Sequence, residues 1–447
     1  MIKTFTRDKN MTLVLNITPQ TSSERLKEYF QSGVHHYYLA SHNQSEFAFR
    51  QLEILRENPE AASPHHSKPL FFTSVGIIEG EELIRVKRRI ERKGDYPNLL
   101  KLTDERYFCL SREYLEGWLE NLLRETDLKY PDVILLQAPE WYLREMFNRR
   151  EVSELQLGLE DILYSAFLLM EEWIREGKIK SYGILSEALG FEQGRKDFLP
   201  VDILGNVEKK IRRKFGESHL SHLALPLHKD FFNLLDLFLD NHSSSKSPKT
   251  TVQRQFFFLI EEELISALLR GEALNQEKEL ALLDSFIKRL HKQEMQLLAN
   301  GFPVKSFSFA VLLGQAHSWL ENGKMNWFLI EEKFKFYWLQ VHKMIFDKKG
   351  GNQPARTYLQ EVARSWNILK GIHETRNLRN FYRLKERIQE IVGLPLKIEE
   401  MPWVYLLALL PGAGVIVPES ALPRPDFIYE IQKRQPEITA VIRDTDL

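Results

Sequence analysis

The chain has 447 residues, 43% of them apolar and 28% charged, with 61 Lys and Arg against 62 Asp and Glu. This is an ordinary globular composition with no excess of either sign, so it offers neither the basic surface of a nucleic-acid binder nor the charge bias of a membrane-surface protein. MIKTFTRDKNMTLVLNITPQ at the start holds no apolar run of signal-peptide length, and no later segment reaches the roughly 18 apolar residues of a membrane span. The expectation is therefore a cytoplasmic protein with no nucleic-acid or membrane partner. The lone Cys109 has no second cysteine to pair with, and no motif around it suggests thiol chemistry.

Short β-type runs alternate with amphipathic stretches of helical length from the first residues onward. A strand is predicted at Leu13–Ile17, then a helix capped by Ser22 and running to Gln31, with Gly33 ending it and His35–Ala40 as the next strand. A helix from Ser45 to about Asn58 leads to a buried strand within Lys68–Gly76, bounded by Pro69 and Gly76. Ser111 opens a further helix, Pro131 breaks it, and Asp132–Ala138 (DVILLQA) reads as a strand buried on both faces. Leu159–Glu176 is helical up to Gly177, Lys180–Ser186 is a strand, Val201–Phe215 a helix and His222–Leu227 a sixth strand.

Residues 229–282, with the polar stretch DNHSSSKSPKTTVQ, read as an insertion after the sixth strand. Leu282–Ala299 is predicted helical and Val304–Val311 a seventh strand. A second, Trp-rich helical insertion covers 315–380, and Gly414–Pro418 (GVIVP) supplies the eighth strand. Eight βα units in one chain of this length predict a single α/β domain over 1–447, a closed (β/α)8 barrel with helical insertions.

Five segments, in order, resemble the aldo-keto reductase family. SGVHHYYLA (Ser32–Ala40) followed by Ser45-Glu46 is similar to its Gly-Val-x-x-(aromatic)-Asp-Thr-Ala segment, and LFFTSVG (Leu70–Gly76) to its Thr-Lys-Val-Gly strand. LEGWLENLLRETDLKYPDVILLQAPE (Leu115–Glu140) has the layout of its helix, loop and Asp-(apolar)4-His-x-Pro strand. EGKIKSYGILS (Glu176–Ser186) is close to its Gly-Lys-Ile-Arg-x-x-Gly-Val-Ser signature, and LLALLPGAGVIVPES (Leu406–Ser420) resembles its closing helix and Pro-Gly-Val-x-x-Val-Ile-Pro strand.

The resemblance implies hydride transfer from NADPH to a carbonyl, with a tyrosine acid tuned by a lysine, an aspartate and a histidine. Laid onto this chain, the Asp position falls on Tyr38, the Tyr position on His42 or its neighbour Asn43, the Lys position on Ser74 and the His position on Gln137. All four differ. A tyrosine becomes a useful acid near neutral pH only when a cation lowers its pKa from about 10, and Ser74 supplies none. Glu187 stands where an Asn would meet the nicotinamide amide. The phosphate end reads Pro418, Glu419, Ser420, Ala421, Leu422, with Arg424 the nearest cation, and Glu419 would repel a 2′-phosphate. NADPH or NADH binding is thus expected to be weak or absent.

Read without that template, the residues at the C-terminal strand ends are Tyr38, His42, Ser74, Gln137, Ser186, Glu187 and His228, which form the candidate pocket. His42 with Glu187 is the pair to test for acid–base work, though hydrogen-bonded rim residues are the plainer reading. His35 and His36 are adjacent in a strand and point to opposite faces, His65 and His66 lie in a loop without further ligands, and His222 and His228 are about 20 Å apart along an extended strand. No metal site is therefore expected. Phosphate loops, nucleophile elbows and zinc-protease helices are absent. The runs RVKRRIERKG and EKKIRRKFG read as solvated helix faces. Trp319, Trp327 and Trp338 with the phenylalanines of Met325–Phe346 read as a core-facing stripe that could also dock a protein partner.

The expected function is that of an aldo-keto-reductase-like protein without the standard activity, working by binding or as a partner or regulatory subunit. Family precedents are the non-catalytic subunits of glutamate–cysteine ligase and of potassium channels. The alternative is an NAD(P)H-dependent oxidoreductase whose acid is Tyr38 or His42. Substrate and oligomeric state have no signature in the sequence.

Overall fold

In the computed structural model, the residues described are 12–17, 21–31, 34–39, 70–126, 130–146, 152–190, 199, 201–227, 255–273, 276–299, 308–321, 327–346, 353–393, 395–402, 404, 406, 414–418, 421, 431 and 433–443. In chain order the strands are β1 Thr12–Asn16, β2 His36–Leu39, β3 Leu70–Val75, β4 Ile77–Ile78, β5 Leu100–Lys101, β6 Tyr107–Phe108, β7 Val133–Gln137, β8 Ser181–Leu185, β9 Leu220–Leu227, β10 Gln255–Ile260 and β11 Gly414–Pro418. Eight of them close a parallel barrel in the order β1-β11-β10-β9-β8-β7-β3-β2, and β4, β6 and β5 form a small antiparallel sheet beside it. The fold is a (β/α)8 barrel, as the alternation in the sequence predicts.

The helices are α1 Ser23–Gln31, α2 Gly80–Lys93, α3 Arg112–Thr126, α4 Glu140–Met146, α5 Val152–Arg175, α6 Val201–Phe215, α7 Glu262–Ala273, α8 Gln276–Ala299, α9 Phe309–Glu321, α10 Trp327–Phe346, α11 Gln353–Val392 and α12 Gln435–Arg443. The caps read from the sequence are present. Ser22 Oγ accepts from Arg25 N at the start of α1, and Ser111 Oγ from Tyr114 N at the start of α3, so each hydroxyl satisfies one of the N–H groups that a first turn leaves free.

Alternate residues along each barrel strand point inward. Val14, Tyr38, Phe72, Val133, Leu135, Leu185, Ala224, Phe257, Leu259 and Ile416 form one buried cluster, so the barrel is a packed core rather than a pore. Its widest members meet directly: the rings of Phe72 and Phe257 are 5.3 Å apart, and His222 lies 5.5 Å from each. Gly414 makes this possible, since a Cβ there would sit 2.2 Å from the Phe257 ring.

One strand is not where the sequence reading puts it. The seventh barrel strand is Gln255–Ile260, inside the stretch 229–282 taken for an insertion, and β10 pairs with β9 and β11. Of the run Val304–Val311, expected as that strand, residues 308–311 are described, and Phe309 already begins α9. A short continuous apolar run such as FFFLI has no period that separates a buried strand from a buried helix, which is how the two were exchanged. The helix expected over Ser45–Asn58 and the polar stretch 240–253 lie outside the described residues.

The chain divides into two compact units, Met1–Ser266 with Phe381–Leu447, and Ala267–Asn380. The first holds the barrel. In the second, Leu283, Leu290 and Leu297 of α8 pack in one cluster with Phe309 and Leu313 of α9, Phe334 and Val341 of α10 and Tyr358, Val362 and Leu369 of α11. Seven-residue spacing on α8 is what places its three leucines on one face. In the Trp-rich stretch Phe334 is buried with Trp338 and Trp366 stacked on it, at 5.8 and 3.9 Å between ring centres, while Phe336 and Leu339 are exposed; the side chains of Trp319 and Trp327 lie outside the described residues. No helix among the described residues is long and apolar enough to cross a membrane.

Candidate functional site

The strands β2, β3 and β7 are consecutive in the barrel, and Tyr38, Ser74 and Gln137 stand near their C-terminal ends. Closure of the sheet therefore brings together three residues that are far apart in sequence. Ser74 Oγ donates to Gln137 Oε1 at 3.3 Å, which leaves the Tyr38 hydroxyl, 2.8 Å from Ser74 Oγ, to donate to that oxygen in turn. Tyr38 and Ser74 are buried and Gln137 is partly exposed, so the chain of hydrogen bonds runs from the barrel interior toward the mouth. Gly76 lets the Gln137 segment close in, because a Cβ there would meet the Gln137 carbonyl oxygen at 2.6 Å and its φ of 139° disfavours any other residue.

Electrostatics at this trio oppose ionisation. Burial pushes the Tyr38 phenol well above its ordinary value; the Ser74 hydrogen bond works the other way, and the charge of Glu261, which follows β10, adds to the rise. Among the described residues, the charge acting on Tyr38 is thus an acid's, where a proton-donating tyrosine would need a cation.

A second group lies at the ends of β7 and β8. Glu140, the first residue of α4, is 1% exposed, and its Oε2 accepts from Ser186 Oγ at 2.6 Å. Ser186 Oγ also accepts from Ala188 N at 3.1 Å. Burial raises the Glu140 carboxyl to about 7 against the Ser186 hydrogen bond, and neighbouring Glu187 raises it further while Arg144 lowers it. The backbone between Gln137 and Glu140 is strained: Ala138 has a φ of 52°, and its N–H is held by the Leu185 carbonyl at 2.7 Å. A non-glycine residue in the left-handed region next to a buried acid is the kind of feature that collects at functional sites.

Of the residues singled out from the sequence, Tyr38, Ser74 and Gln137 form one hydrogen-bonded chain, and Ser186 belongs to the Glu140 group. Glu187 pairs with Arg144 at 3.5 Å. His42, Asn43, His228, Glu419, Ser420, Leu422 and Arg424 lie outside the described residues, and with them the His42–Glu187 pair. Glu140 and Asn16 were missed. A single Glu after a proline reads as an exposed helix opener, and Asn16 as the polar end of a strand. Asn16 pairs in register with Tyr38 on one side and Pro418 on the other, and among the described residues its buried Oδ1 has no hydrogen-bond partner.

The histidines have structural surroundings. His35 packs edge-on to Phe30 and His36 on Phe72, so the two rings do take opposite faces. Burial pushes His36 and His222 down to about 4, which keeps both neutral at physiological pH, and His222 Nε2 lies 3.0 Å from Ser181 Oγ. Among the described residues no group of three His, Cys, Asp or Glu is placed to hold a metal. Cys109 is buried beside Ser111, and burial raises its thiol. The basic runs meet nearby acids, as in Arg85–Glu82 at 3.4 Å, Lys210–Glu160 at 2.7 Å and Arg212–Glu208 at 2.7 Å.

Solved structures similar to this chain are aldo-keto reductases. The aldose reductase of Schistosoma japonicum is 13% identical at a TM-score of 0.32, over 56% of this chain and 64% of its own. An aldo/keto reductase of Brucella melitensis is 12% identical at 0.29, over 55% of this chain and 66% of its own. An aldo-keto reductase of Bacillus halodurans is 12% identical at 0.29, over 58% and 63% respectively. The match spans less than two thirds of these enzymes' own lengths. No family profile and no curated protein matches the chain.

Proposed function

We propose that this aldo-keto-reductase-like barrel has left NADPH-dependent carbonyl reduction and works by binding a ligand at its mouth. One observation carries the reading. The positions that the resemblance gives to an aspartate, a lysine and a histidine hold a closed hydrogen-bonded chain of neutral groups, Tyr38 to Ser74 to Gln137. Hydride transfer to a carbonyl develops negative charge on the carbonyl oxygen, and a donor with a lowered pKa has to meet it. Tyr38 is driven the other way by its burial and by Glu261. The described residues at these positions therefore do not fit the reductive chemistry of a nicotinamide cofactor. Glu187, already engaged with Arg144, adds an acid at the position that the resemblance gives to the residue meeting a nicotinamide amide.

Titrating NADPH and NADH into the purified chain while following cofactor fluorescence tests this directly. No binding up to millimolar cofactor, and no carbonyl-dependent oxidation of either, is the expected result. Micromolar binding coupled to turnover of an aldehyde would overturn it in favour of a reductase with a non-standard acid.

A further inference from the structure

We infer that a cavity between α3 and α5, beside the barrel, binds a small organic cation, a protonated amine on an apolar body. The inference uses none of the mouth residues and stands apart from the function proposed above. The cavity has a volume of about 540 Å³, and its walls come from the segment before α3, from α3, from α4 and from α5, all within the unit that holds the barrel. Along α5 the wall residues are Gly158, Asp161, Ile162 and Ser165, a spacing that puts them on one face of the helix. A glycine and a serine on that face leave open the room that longer side chains would fill.

Tyr142 of α4 supplies an unanswered polar group. The residue is 4% exposed, and its ring ends against Gly158, where a Cβ would sit 2.5 Å from the hydroxyl oxygen. That hydroxyl has no hydrogen-bond partner among the described residues. Nor is it one of the orphaned atoms sealed away from solvent: Tyr142 and Gly158 both line the cavity, and the hydroxyl opens into it. A phenol in such a place both donates and accepts.

Charge decides the class. Three of the four charged residues on the described walls are acids, Glu113, Glu116 and Asp161, against Arg112. Arg112 is already spent: its Nε donates to Glu116 Oε1 at 2.9 Å and its Nη2 to Glu172 Oε2 at 2.5 Å. Glu113 is held by Arg89. Asp161 makes no ion pair among the described residues, and Lys210, on which its charge acts, is bound to Glu160 at 2.7 Å. Residues three and four away from it on α5 are Leu157, Gly158, Tyr164 and Ser165, none of them a cation. An anion is therefore repelled, while a cation meets one carboxylate that nothing else answers.

The remaining wall favours an organic cation over a metal ion. Among the described residues no group of three ligands is placed to hold a metal, and Pro97, Leu110 and Ile162 give the cavity an apolar side for a hydrocarbon body to cover. Gly158 and Asp161 lie within one helical turn, so a single ammonium with its three donors can serve both the Asp161 carboxylate and the Tyr142 oxygen.

Phenethylamine, 2-phenylethanol and phenylacetate have nearly the same shape and differ in charge. Each is titrated into the full chain near neutral pH at low salt, with binding followed by calorimetry and by ligand-observed NMR. Phenethylamine is expected to bind roughly tenfold or more tightly than the alcohol, and phenylacetate more weakly than either. Asp161→Asn is expected to remove the preference for the amine over the alcohol. Tyr142→Phe should weaken amine binding by roughly threefold or more. It should also melt no lower than the parent, because the hydroxyl it removes holds nothing within the fold. Equal binding of amine and alcohol, no binding of the amine at millimolar concentration, folded variants that bind it like the parent, or a lowered melting point for Tyr142→Phe would each overturn the assignment.

Discussion

Glu140 shows how a single residue acquires chemistry from its surroundings. Its carboxyl is buried against one hydroxyl, that of Ser186, and titrates near 7 rather than near 4.5. A folded-state value above the unfolded one means that the folded chain holds the proton more tightly. Below about pH 4.5 both states are protonated and this contribution to stability is fully present; it is lost as pH rises to about 7, because the unfolded chain ionises first. The loss is of order 3 kcal/mol for a shift of this size. Glu140→Gln is neutral throughout. Urea unfolding of the two proteins at pH 4 and pH 8 is expected to show the glutamine variant gaining on the parent by about 3 kcal/mol between the two pH values. A constant difference across that range would mean that Glu140 titrates normally. None of this was visible in the sequence. QAPE gives the residue order, but the covering that dehydrates the carboxyl comes from other parts of the fold. Tyr38, Ser74 and Gln137 were legible for the opposite reason: strand period and the ends of apolar runs fix which side chains face inward at the C-terminal edge.

Strands differ in how clearly they are written. Asp132–Ala138 is bounded by Pro131 and followed by Pro139, and the strand found, Val133–Gln137, lies within it. QFFFLI has polar residues on both sides but no glycine or proline, and its continuous apolar character suits a helix core as well as a strand. Its register becomes evident only from its neighbours, where Phe257 lies opposite Gly414. That pairing is a requirement of packing: a methyl at 414 would overlap the Phe257 ring. Gly414→Ala is expected to cost about 1–3 kcal/mol in urea unfolding, as overpacked cores do. Phe257→Leu in the same chain should restore at least half of that loss by emptying the contested space. If the double variant is as unstable as the sum of the two single ones, the contact is not the cause.

At the scale of the whole molecule, length and composition admitted one large barrel, and the alternation of elements was read as one domain. The contacts gather into two units, each with its own buried cluster. The second unit carries a polar centre that sequence periodicity does not reveal. Glu294, 5% exposed, accepts from Ser308 Oγ at 2.6 Å, from Ala310 N at 3.0 Å and from Tyr358 OH at 2.6 Å, tying α8 to the start of α9 and to α11. Truncating such an acceptor leaves three donors without it inside the unit, and the penalty for orphaned buried groups sums to about 3 kcal/mol or more. Because Glu294 and its partners all lie within Ala267–Asn380, the damage should stay in that unit. Amide hydrogen exchange of Glu294→Ala in mild urea is therefore expected to show faster exchange across α8, α9 and the first half of α11, with the barrel strand Val133–Gln137 protected as in the parent. Equal loss of protection in both regions would show that the two cores unfold as one cooperative body, and the division into separately stabilised units would fall with it.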